Sequence, residues 1–449
     1  MENKNNIPVV WKRTFHVHPV EIAAQRDTGL NLENVTKDQN DEYITKMEAF
    51  TGIVLGTYRQ KKITFITTHN WDTKRQGGFH KFAEASCLAG IETVFFSFPR
   101  PYYGLFMHRE QLNARIIRML SSGREYVIAP GRKILNTAFP TFRLPDAAGK
   151  FLPRWFMNRM LTASFRSFKH FSKKFLNGTD CFVFESCEGI VFIDRLKKMY
   201  PAARIIYRPS DPLVYDAVPE RVKKLERTML VKSDKVLIVN DKGLESYRRA
   251  VPGFDSQVSY RILSNGIDIE PYTVKYPVPK ELSGRKTVLY VGAWDVEWEL
   301  IFKAAVETPE LTYIVVCPNY PQSQVLKKIK SYSNVVYIPG IKPGEVPAWI
   351  TNCSVFMVPY ETGFFKDRPL GITAKYYQAM AAHKPIVAYS DTPELKNAGI
   401  PVAYTYEDFI SEIKKAATEK ERNYSFNLDE RTWTKINSKF LEETGVVTG

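Results

Sequence analysis

The chain has 449 residues, of which 44% are hydrophobic and 25% charged, which is enough apolar material for two globular cores. No run of eighteen uncharged apolar residues occurs, and the first thirty residues contain no apolar stretch of signal-peptide length, so we expect neither a membrane-spanning helix nor secretion. The net charge of +15 favours an anionic partner, such as nucleic acid, anionic lipid or a phosphate-bearing ligand.

The five cysteines occur singly in apolar segments, without the paired spacing of a zinc site or a redox motif. This usage indicates a reducing compartment, and we expect a cytoplasmic protein. The sequence contains no zinc-finger pattern, no aromatic RNA-binding signature and no basic region with heptads. The positive charge is therefore not expected to serve a nucleic-acid partner.

The chain begins with a polar segment, residues 1–60, that contains one predicted helix at about 42–50. From residue 61 short apolar runs alternate with longer amphipathic runs, the pattern of a parallel sheet covered by helices. We predict a first Rossmann-like domain over residues 61–268. Its strands are predicted at 63–69, 93–98, 181–186, 204–211 and 235–240.

The polar, proline-rich segment 269–286 is predicted as an interdomain linker. The alternation then restarts and predicts a second Rossmann-like domain over 287–405, followed by a charged helical tail at 406–449. Its strands are predicted at 287–293, 311–318, 335–340, 353–360 and 385–390. The predicted fold class is therefore α/β, with two Rossmann-like domains that face each other across a cleft.

The segment 369–388 of the second domain has the residues of a phosphate-binding helix start. Thr373 is placed to cap a helix whose first turn contains Lys375, and Gln378 lies one turn further along the same face. Free amides, the helix dipole and a lysine favour a diphosphate here, and Gln378 is placed to reach a ribose hydroxyl. The alternative is a capped surface helix with a solvated lysine. The functional interpretation is favoured because the helix follows the carboxyl end of a strand, where open α/β sheets bind ligands.

This helix, with the run A-x-x-P-[IV]-V-A after it and a strand ending in Pro-Tyr before it, resembles the nucleotide-sugar site of GT-B glycosyltransferases. Retaining members of that fold usually carry two glutamates eight positions apart around this helix start. Leu370 and Gln378 occupy the corresponding positions here. The resemblance therefore implies an inverting enzyme.

The first domain has a more specific resemblance. The segment VFESCEGIVFIDRLKKMYPAARIIYRPSDPL (183–213) is similar to the corresponding stretch of the xanthan β-glucuronosyltransferases, the GumK type of glycosyltransferase family 70. The likeness continues through KVLIVNDKGLESY, SNGID, VGAW and VPYETG, and it covers about residues 63–387. It implies the GT-B fold and transfer from a UDP-sugar donor.

The resemblance also implies roles for single residues. Asp211 falls on the proposed catalytic base of the family, and Glu245 falls on a second acidic position of its cleft. Tyr360, Lys375 and Gln378 fall on positions that bind uridine diphosphate. The structural alternatives are a turn aspartate that bonds its own backbone at position 211 and a solvated helix residue at position 245.

Two positions depart from the family's pattern. Trp294 and Ile341 stand where the family has a methionine and a glutamate that contact the nucleotide. Trp294 can stack on a uracil ring, whereas Ile341 cannot accept a hydrogen bond. Another UDP-hexose or a GDP-sugar is therefore the alternative donor.

The loop after the first predicted strand, THNWDTKRQGGFHKF, is a candidate for contact with the sugar and the acceptor. Gly77 and Gly78 permit a close backbone approach before the next helix. Arg75 is a candidate for gripping a sugar carboxylate or a pyrophosphate in a bidentate manner. His69 and His80 are further candidates, although a lone histidine in such a place is more often structural.

The segment 151–175 interleaves aromatic residues with arginines and lysines. One interpretation is a basic amphipathic helix that lies in a membrane interface and attracts anionic lipid. The other is an ordinary domain helix that buries its aromatic residues against the sheet. The pattern by itself does not separate the two.

An inverting transfer needs a carboxylate to take the proton of the acceptor hydroxyl and a cationic pocket to stabilise the departing diphosphate. Asp211 and Lys375 would supply these from opposite domains. No D-x-D cluster follows a predicted strand, so lysine and the helix dipole are expected to balance the leaving-group charge without a metal. We expect no cofactor other than the UDP-sugar donor substrate.

These features predict a transferase that moves glucuronic acid or a related sugar to a lipid-linked, polyprenyl diphosphate glycan in bacterial surface polysaccharide assembly. The charge and the segment 151–175 predict peripheral association with the anionic inner face of the plasma membrane. The non-enzymatic alternatives are a nucleotide-sugar sensor and a basic nucleic-acid-binding protein.

Overall fold

The computed structural model describes residues 61–73, 76–106, 114–214, 218–293, 296–361, 371–390 and 392–446. The polar segment 1–60 and its predicted helix lie outside these residues. Arg75, Trp294 and Leu370 lie outside them as well.

The first domain is built on an eight-stranded sheet. Its strands are β1 Lys62–Thr67, β2 Glu92–Pro101, β3 Arg124–Ala129, β4 Arg132–Thr141, β5 Cys181–Phe184, β6 Arg204–Tyr207, β7 Lys235–Ile238 and β8 Tyr260–Ile262. The strand order is β3-β4-β2-β1-β5-β6-β7-β8. Neighbouring strands run parallel except β3 and β4, which pair antiparallel.

Helices cover both faces of this sheet. They are α1 Gly78–Leu88, α2 Ala114–Ser122, α3 Arg154–Thr162, α4 Phe168–Phe175, α5 Ile193–Met199, α6 Glu220–Lys232, α7 Asp241–Ala250 and the short α8 Phe254–Gln257. Every residue of the central strands β1 and β5 is buried, because each strand has a helical layer on either side. This explains their nearly continuous apolar sequences.

The five strands predicted in this domain are present, but most end earlier than predicted. In β6 only the residues Arg204–Tyr207 pair with neighbours, and the polar residues up to Asp211 form the following loop. The prediction missed β3, β4 and β8. β3 lies at the sheet edge with most of its residues exposed or half-buried, so no apolar run marks it.

The second domain contains a six-stranded parallel sheet. Its strands are β9 Lys286–Val291, β10 Leu311–Val316, β11 Val335–Ile338, β12 Val355–Pro359, β13 Ile386–Tyr389 and β14 Val402–Ala403, in the order β11-β10-β9-β12-β13-β14. Its helices are α9 Trp298–Glu307, α10 Ser323–Ile329, α11 Val346–Asn352, α12 Ala374–Ala381, α13 Pro393–Asn397 and α14 Tyr406–Ala416. One continuous hydrophobic core joins the sheet to these helices. The α/β class with two parallel-sheet domains is confirmed.

The last helix, α15 Trp433–Thr444, returns to the first domain. The ring of Phe440 stacks on Phe82 of α1 with centroids 4.4 Å apart, inside the core on one face of the first sheet. The Trp433 amide donates to the carbonyl of Ile267 at 3.1 Å. The chain therefore crosses between the domains twice. After α14, Tyr424, Phe426 and Leu428 still pack against the second domain, and α15 belongs to the core of the first domain.

The segment 151–175 is not the single helix that was predicted. It forms α3 and α4, separated by residues 163–167. Phe168 and Phe175 of α4 are buried in the core of the first domain, whereas Phe151 before α3 and Trp155 in its first turn are 87% and 66% exposed. Burial against the sheet is therefore confirmed for α4, whereas the membrane interface stays a prediction for the exposed aromatic residues.

Within the described residues, no helix is both long and apolar enough to cross a membrane. The longest helix of this part of the chain is α6, with thirteen residues. A spanning helix needs about twenty.

Candidate active site

Lys375 lies in the first turn of α12, at the carboxyl edge of the second sheet. Its side chain is 9% exposed, and its Nζ donates to the Tyr290 hydroxyl at 3.1 Å. The ammonium also lies 4.7 Å from the ring centroids of both Tyr290 and Tyr360, which belong to the ends of β9 and β12. The two rings hold the charge at the point where the strands end, because a cation over an aromatic face is attracted to the ring.

The ammonium of Lys375 stays charged in this enclosure. Burial acts to lower its pKa, but Tyr360 and Tyr290 together outweigh burial and raise the pKa above its usual value. Burial raises the pKa of Tyr290 to about 12 although Lys375 opposes this shift, so the phenol is neutral at physiological pH. A β carbon at Gly292 would lie 2.6 Å from both Nζ and the Tyr290 hydroxyl, so a larger residue there would displace these side-chain ends. The result is a fixed positive charge at a helix start, suited to a diphosphate.

Thr373 occupies the N-cap position of α12, as predicted, but its side chain caps no helix amide. Its hydroxyl instead lies 3.4 Å from the Tyr360 hydroxyl. Gln378 is half-buried and hydrogen-bonds the Tyr272 hydroxyl in the turn before the second domain. Contact of Gln378 with a ribose stays a prediction, as does stacking by Trp294, which lies outside the described residues.

Asp211 lies in the loop that follows β6 of the first domain, and its side chain is exposed. The backbone amides of Ser210 and Asp211 donate to the hydroxyl of Ser186 at 3.1 and 3.3 Å. The buried guanidinium of Arg208 lies near enough to interact electrostatically with the Asp211 carboxylate. The loop is therefore held from behind while the carboxylate faces solvent.

Glu185, directly after β5, is an acidic residue of this edge that the sequence analysis missed. It is 6% exposed and accepts hydrogen bonds from the hydroxyls of Thr67 and Ser210, the latter at 2.8 Å. The Nε2 of His69 lies 3.9 Å from Glu185. The signal that could have found it is an acidic residue at the end of a buried apolar run, in VFES. Glu185 connects the loops that follow β1, β5 and β6.

The structure separates the two histidine candidates. His80 is 1% exposed, contacts the Asn70 carbonyl at 3.0 Å and packs against Trp71 and Phe95. His80 is therefore enclosed in an aromatic cluster. His69 is about one third exposed and lies at the strand edge beside Glu185.

The double glycine after this loop has one position that needs glycine and one that does not. A β carbon on Gly78 would collide with the side chain of Asn265, whereas one on Gly77 would meet nothing. Asn265 in turn accepts a hydrogen bond from Arg208 at 2.6 Å. The close approach predicted for this loop is thus made at Gly78, by a side chain of the first domain. Arg75 lies outside the described residues.

Glu245 is exposed on α7. The described residues assign it no hydrogen bond or ion pair to another element. Two residues further on, Tyr247 is fully buried and points to the interior. Glu245 therefore has the exposure of a solvated helix residue, which was the structural alternative for this position.

Glu226 of α6 is a fully buried carboxyl group behind the Asp211 loop. Its Oε1 accepts from the hydroxyls of Tyr207 and Tyr247 at 2.5 and 2.9 Å, and its Oε2 accepts from the amide of Leu213 at 2.6 Å. Burial raises the pKa of Glu226 to about 7, although these three hydrogen bonds act in the opposite direction. One side chain therefore connects the end of β6, the helix α7 and the loop of Asp211.

We expect this carboxyl group to make the stability of the protein depend on pH. Because folding raises the pKa from the usual 4.5 to about 7, its contribution is fully present below pH 4.5 and is lost as the pH rises through about 7. In Glu226→Gln that dependence should disappear, a difference of roughly 3 kcal/mol in the free energy of unfolding. Urea titrations of both proteins at pH 5 and pH 8 measure it. Parallel changes in the two proteins would contradict the raised pKa.

The two sides of the candidate site meet through direct contacts. Pro212, next to Asp211, lies 3.7 Å from where a β carbon of Gly243 on α7 would be. Asn240 caps α7, and a β carbon on Gly371 would lie 2.9 Å from the Cβ of Asn240. Gly371 precedes α12 by three residues. The loops after β6 and β7 therefore border the helix start that carries Lys375.

No cluster of three or more His, Cys, Asp or Glu side chains close enough to hold a metal ion occurs in the part of the chain that the structure describes. Among the described residues, Lys375 lies on one side of the cleft, and the carboxylates of Asp211 and Glu185, with the buried Arg208, lie on the other. This arrangement suits a nucleotide diphosphate on the second domain and a hydroxyl acceptor on the first.

Two Rossmann-like domains whose strand ends meet at such a cleft are the arrangement of the GT-B fold. Solved structures with this fold cover nearly the whole chain. A sucrose-phosphate synthase from Thermosynechococcus elongatus aligns with a TM-score of 0.57 and 15% identity, over 86% of this chain and 95% of the other. An α,α-trehalose-phosphate synthase (UDP-forming) from Burkholderia vietnamiensis aligns with a TM-score of 0.58 and 10% identity, over 87% and 100%.

A third structure, trehalose-6-phosphate from E. coli bound with UDP-2-fluoro glucose, aligns with a TM-score of 0.55 and 11% identity, over 86% and 96%. Residues 65–239 match the family model described as glucuronosyltransferase GumK, N-terminal domain. A search of the curated proteins found no match. The chain therefore has the GT-B fold, and the match of residues 65–239 confirms the resemblance of the first domain to the GumK type that was drawn from the sequence.

Proposed function

We propose that the protein is an inverting, metal-independent transferase that moves glucuronic acid, or a related sugar, from a UDP-sugar to a lipid-linked glycan in surface polysaccharide assembly. The observation that carries the proposal is the ammonium of Lys375, which two tyrosine rings hold at the start of α12. A second support is the match of the first domain to the GumK N-terminal domain.

In the proposed reaction, the diphosphate of the donor binds at α12, where Lys375 and the helix amides balance its charge. The acceptor hydroxyl oxygen attacks the anomeric carbon from the side of the first domain. The bond between that carbon and the diphosphate oxygen breaks, and UDP leaves with the electron pair. Asp211 takes the proton of the acceptor hydroxyl, so atoms and charge balance without a metal or a further cofactor.

The alternative donor is another UDP-hexose or a GDP-sugar. With purified protein and a lipid-linked acceptor fraction, we expect transfer from UDP-glucuronic acid in preference to UDP-glucose, UDP-galactose and GDP-mannose. Transfer should persist in excess chelator, because Lys375 and the helix start replace the metal. Liquid chromatography of the products, with NMR of the new linkage, measures donor choice and inversion. A strict Mn²⁺ or Mg²⁺ requirement, or a retained anomeric configuration, would contradict this mechanism.

The proposal places the enzyme on the anionic inner face of the membrane as a peripheral protein. Three aromatic side chains, which we call the aromatic face, support this: Phe151, Trp155 and Phe165 are 87%, 66% and 82% exposed. Lys150 is exposed next to Phe151, and Arg159 is exposed one helical turn after Trp155. Aromatic residues among basic ones favour the interface of an anionic bilayer.

We expect the protein to bind phosphatidylglycerol vesicles at low ionic strength and to dissociate as salt screens the attraction. The triple variant Phe151→Ser, Trp155→Ser, Phe165→Ser should bind more than about tenfold less tightly, since each buried aromatic contributes on the order of 1.5–3 kcal/mol. Tyr320→Ser, which removes an exposed ring of the second domain, is the matched control. Vesicle co-sedimentation measures both. Equal binding of the triple variant and the control would contradict the proposal that the aromatic face contacts the membrane.

A further inference from the structure

The loop that contains Asp211 is held by a buried acidic residue on each side. On the side toward β6, the hydroxyl of Ser210 donates to Oε1 of Glu185 at 2.8 Å, and Glu185 is 6% exposed. On the other side, the amide of Leu213 donates to Oε2 of Glu226 at 2.6 Å, and Glu226 is fully buried. The four residues 210–213 are therefore fixed at both ends, and Asp211 is the exposed residue between them.

The carboxyl group of Glu226 is itself held in one position. Its Oε1 accepts from the hydroxyls of Tyr207, at the end of β6, and Tyr247 of α7, at 2.5 and 2.9 Å. Both tyrosines are fully buried. With the amide of Leu213, the donors come from a strand, a helix and the loop. Because a satisfied buried network of this kind is rigid, the loop cannot shift relative to β6 and α7 without breaking one of these bonds.

The same network reaches the Asp211 carboxylate through Tyr247. Burial and Glu226 raise the pKa of the Tyr247 phenol well above its usual value, and Asp211 adds to this shift. Asp211 is therefore close enough to interact electrostatically with the buried phenol. Pro212, next to Asp211, lies 3.7 Å from where a β carbon of Gly243 in the first turn of α7 would be. Helix α7 thus borders the loop and also carries a phenol that binds Glu226.

Stability does not explain the presence of this buried acid. Burial raises the pKa of Glu226 to about 7, even though its three hydrogen bonds act in the opposite direction. The folded protein therefore disfavours the ionised form, because burial removes its hydration. What the side chain contributes is geometry, since it supplies the acceptor that fixes the amide of Leu213, two residues after Asp211.

We propose that Glu226 is a positioning residue for sugar transfer, which holds the amide of Leu213 and so fixes Asp211 where it meets the acceptor hydroxyl. The inference rests on the proposed function, because it takes Asp211 as the base. Glu226 is buried and acts through the loop, without contact with the substrate. A misplacement of about 1 Å can cost a reacting group on the order of a hundredfold in rate, because proton transfer needs hydrogen-bonding distance.

The experiment compares Glu226→Met with Glu226→Gln in the full chain. Methionine keeps the length of the side chain but cannot accept from Leu213, so turnover at saturating donor should fall about tenfold to hundredfold. Glutamine keeps one acceptor oxygen for that amide and can donate to a phenol oxygen, so its turnover should stay close to that of the wild type. UDP affinity, measured by calorimetry, should be the same in all three proteins, because UDP binds the second domain.

The matched control is Asp234→Leu. The carboxylate of Asp234 accepts from the amide of Ile205 at 2.7 Å, near the amino end of β6. The variant therefore also removes a carboxylate from a backbone amide, but at the edge opposite the candidate site. It should turn over as the wild type does.

A double-mutant cycle tests whether Glu226 acts through the base. In the Asp211→Asn protein, adding Glu226→Met should not lower the residual turnover further, because no base is left to misplace. An equal loss in both backgrounds would overturn the inference, since Glu226 would then act independently of Asp211. So would wild-type turnover in Glu226→Met.

Amide hydrogen exchange measures the anchoring without any turnover. By mass spectrometry, the peptide that contains Leu213 should exchange faster in Glu226→Met than in the wild type and in Glu226→Gln, because its amide loses a buried acceptor. Unaltered exchange in Glu226→Met would also overturn the inference. If thermal unfolding shows that Glu226→Met does not fold, Leu213→Pro takes its place, because it removes the donor and leaves the two phenols bonded to Glu226.

Failure of the proposed function has a different signature. If Asp211→Asn is as active as the wild type while Glu226→Met exchanges faster, Glu226 holds the loop and the assignment of Asp211 as base fails. If the wild type transfers no sugar, the proposed function fails, and hydrogen exchange alone decides whether Glu226 holds the loop. If Asp211→Asn is inactive and Glu226→Met is fully active, the base stands and the positioning role fails.

Discussion

Replacing Asp211 by asparagine should lower turnover by about 10²–10⁴-fold, the usual contribution of a general base. Asparagine keeps the size of the side chain but removes the basic oxygen that takes the proton of the acceptor. UDP affinity should stay unchanged, because the backbone bonds of this loop to Ser186 do not involve the carboxylate. Initial rates with saturating donor, together with calorimetry of UDP, separate the two effects.

Glu245→Gln is the control for this experiment, because it makes the same kind of chemical change at an exposed carboxylate on the neighbouring helix α7. It should reduce turnover far less. A fully active Asp211→Asn protein together with an inactive Glu245→Gln protein would transfer the role of base to Glu245. If both variants remain active, Glu185 is the next carboxylate of this edge to replace, since it lies within hydrogen-bonding distance of the same loop.

Replacing Lys375 by methionine should weaken UDP binding about tenfold to hundredfold. A charge-assisted hydrogen bond to a phosphate contributes about 1.5–3 kcal/mol. Methionine is chosen because its unbranched, polarizable side chain can fill the space between Tyr290 and Tyr360 and keep the fold intact. Calorimetry with UDP and with uridine measures the effect. Uridine, which has no phosphate, should bind both proteins equally.

The control for Lys375 is Lys415→Met on α14, an exposed lysine of the same domain paired with Glu412. It should leave UDP affinity unchanged. If Lys375→Met binds UDP as the wild type does while its thermal unfolding is unaltered, the diphosphate site lies elsewhere in the second domain. If uridine is weakened as much as UDP, Lys375 acts by supporting the shape of the pocket and not by its charge.

The carboxyl edge of each sheet is where sequence and structure agree best. The apolar runs that became β6 and β12 were sufficient to place Asp211 and Tyr360 just beyond strands, because a strand buried on both faces has a nearly continuous apolar sequence, although β6 ends four residues before Asp211. The position of Lys375 in the first turn of α12 was equally predictable from its distance to the strand before it and to Thr373.

The predictions were less accurate where the polar residues of the core were concerned. Glu185 and Glu226 are buried acids, and an acid in a sequence is expected at the surface unless its partners are known. Their partners, such as Ser210 and Tyr247, are distant in the sequence and come together only when β5, β6 and α7 pack side by side. No local pattern marks such pairs.

The sequence by itself determined the two-domain α/β architecture, the order of the central strands along the chain and the resemblance to GumK-type enzymes. These depend on local signals, namely apolar periodicity and short motifs, which can be recognised without knowledge of contacts between distant residues. The tertiary structure alone decided that α15 returns to the first domain, that Trp155 of α3 is exposed while α4 buries its phenylalanines, and that Lys375 lies between Tyr290 and Tyr360. Each of these depends on which of several amphipathic surfaces meet, and that choice is made by long-range packing of the whole chain.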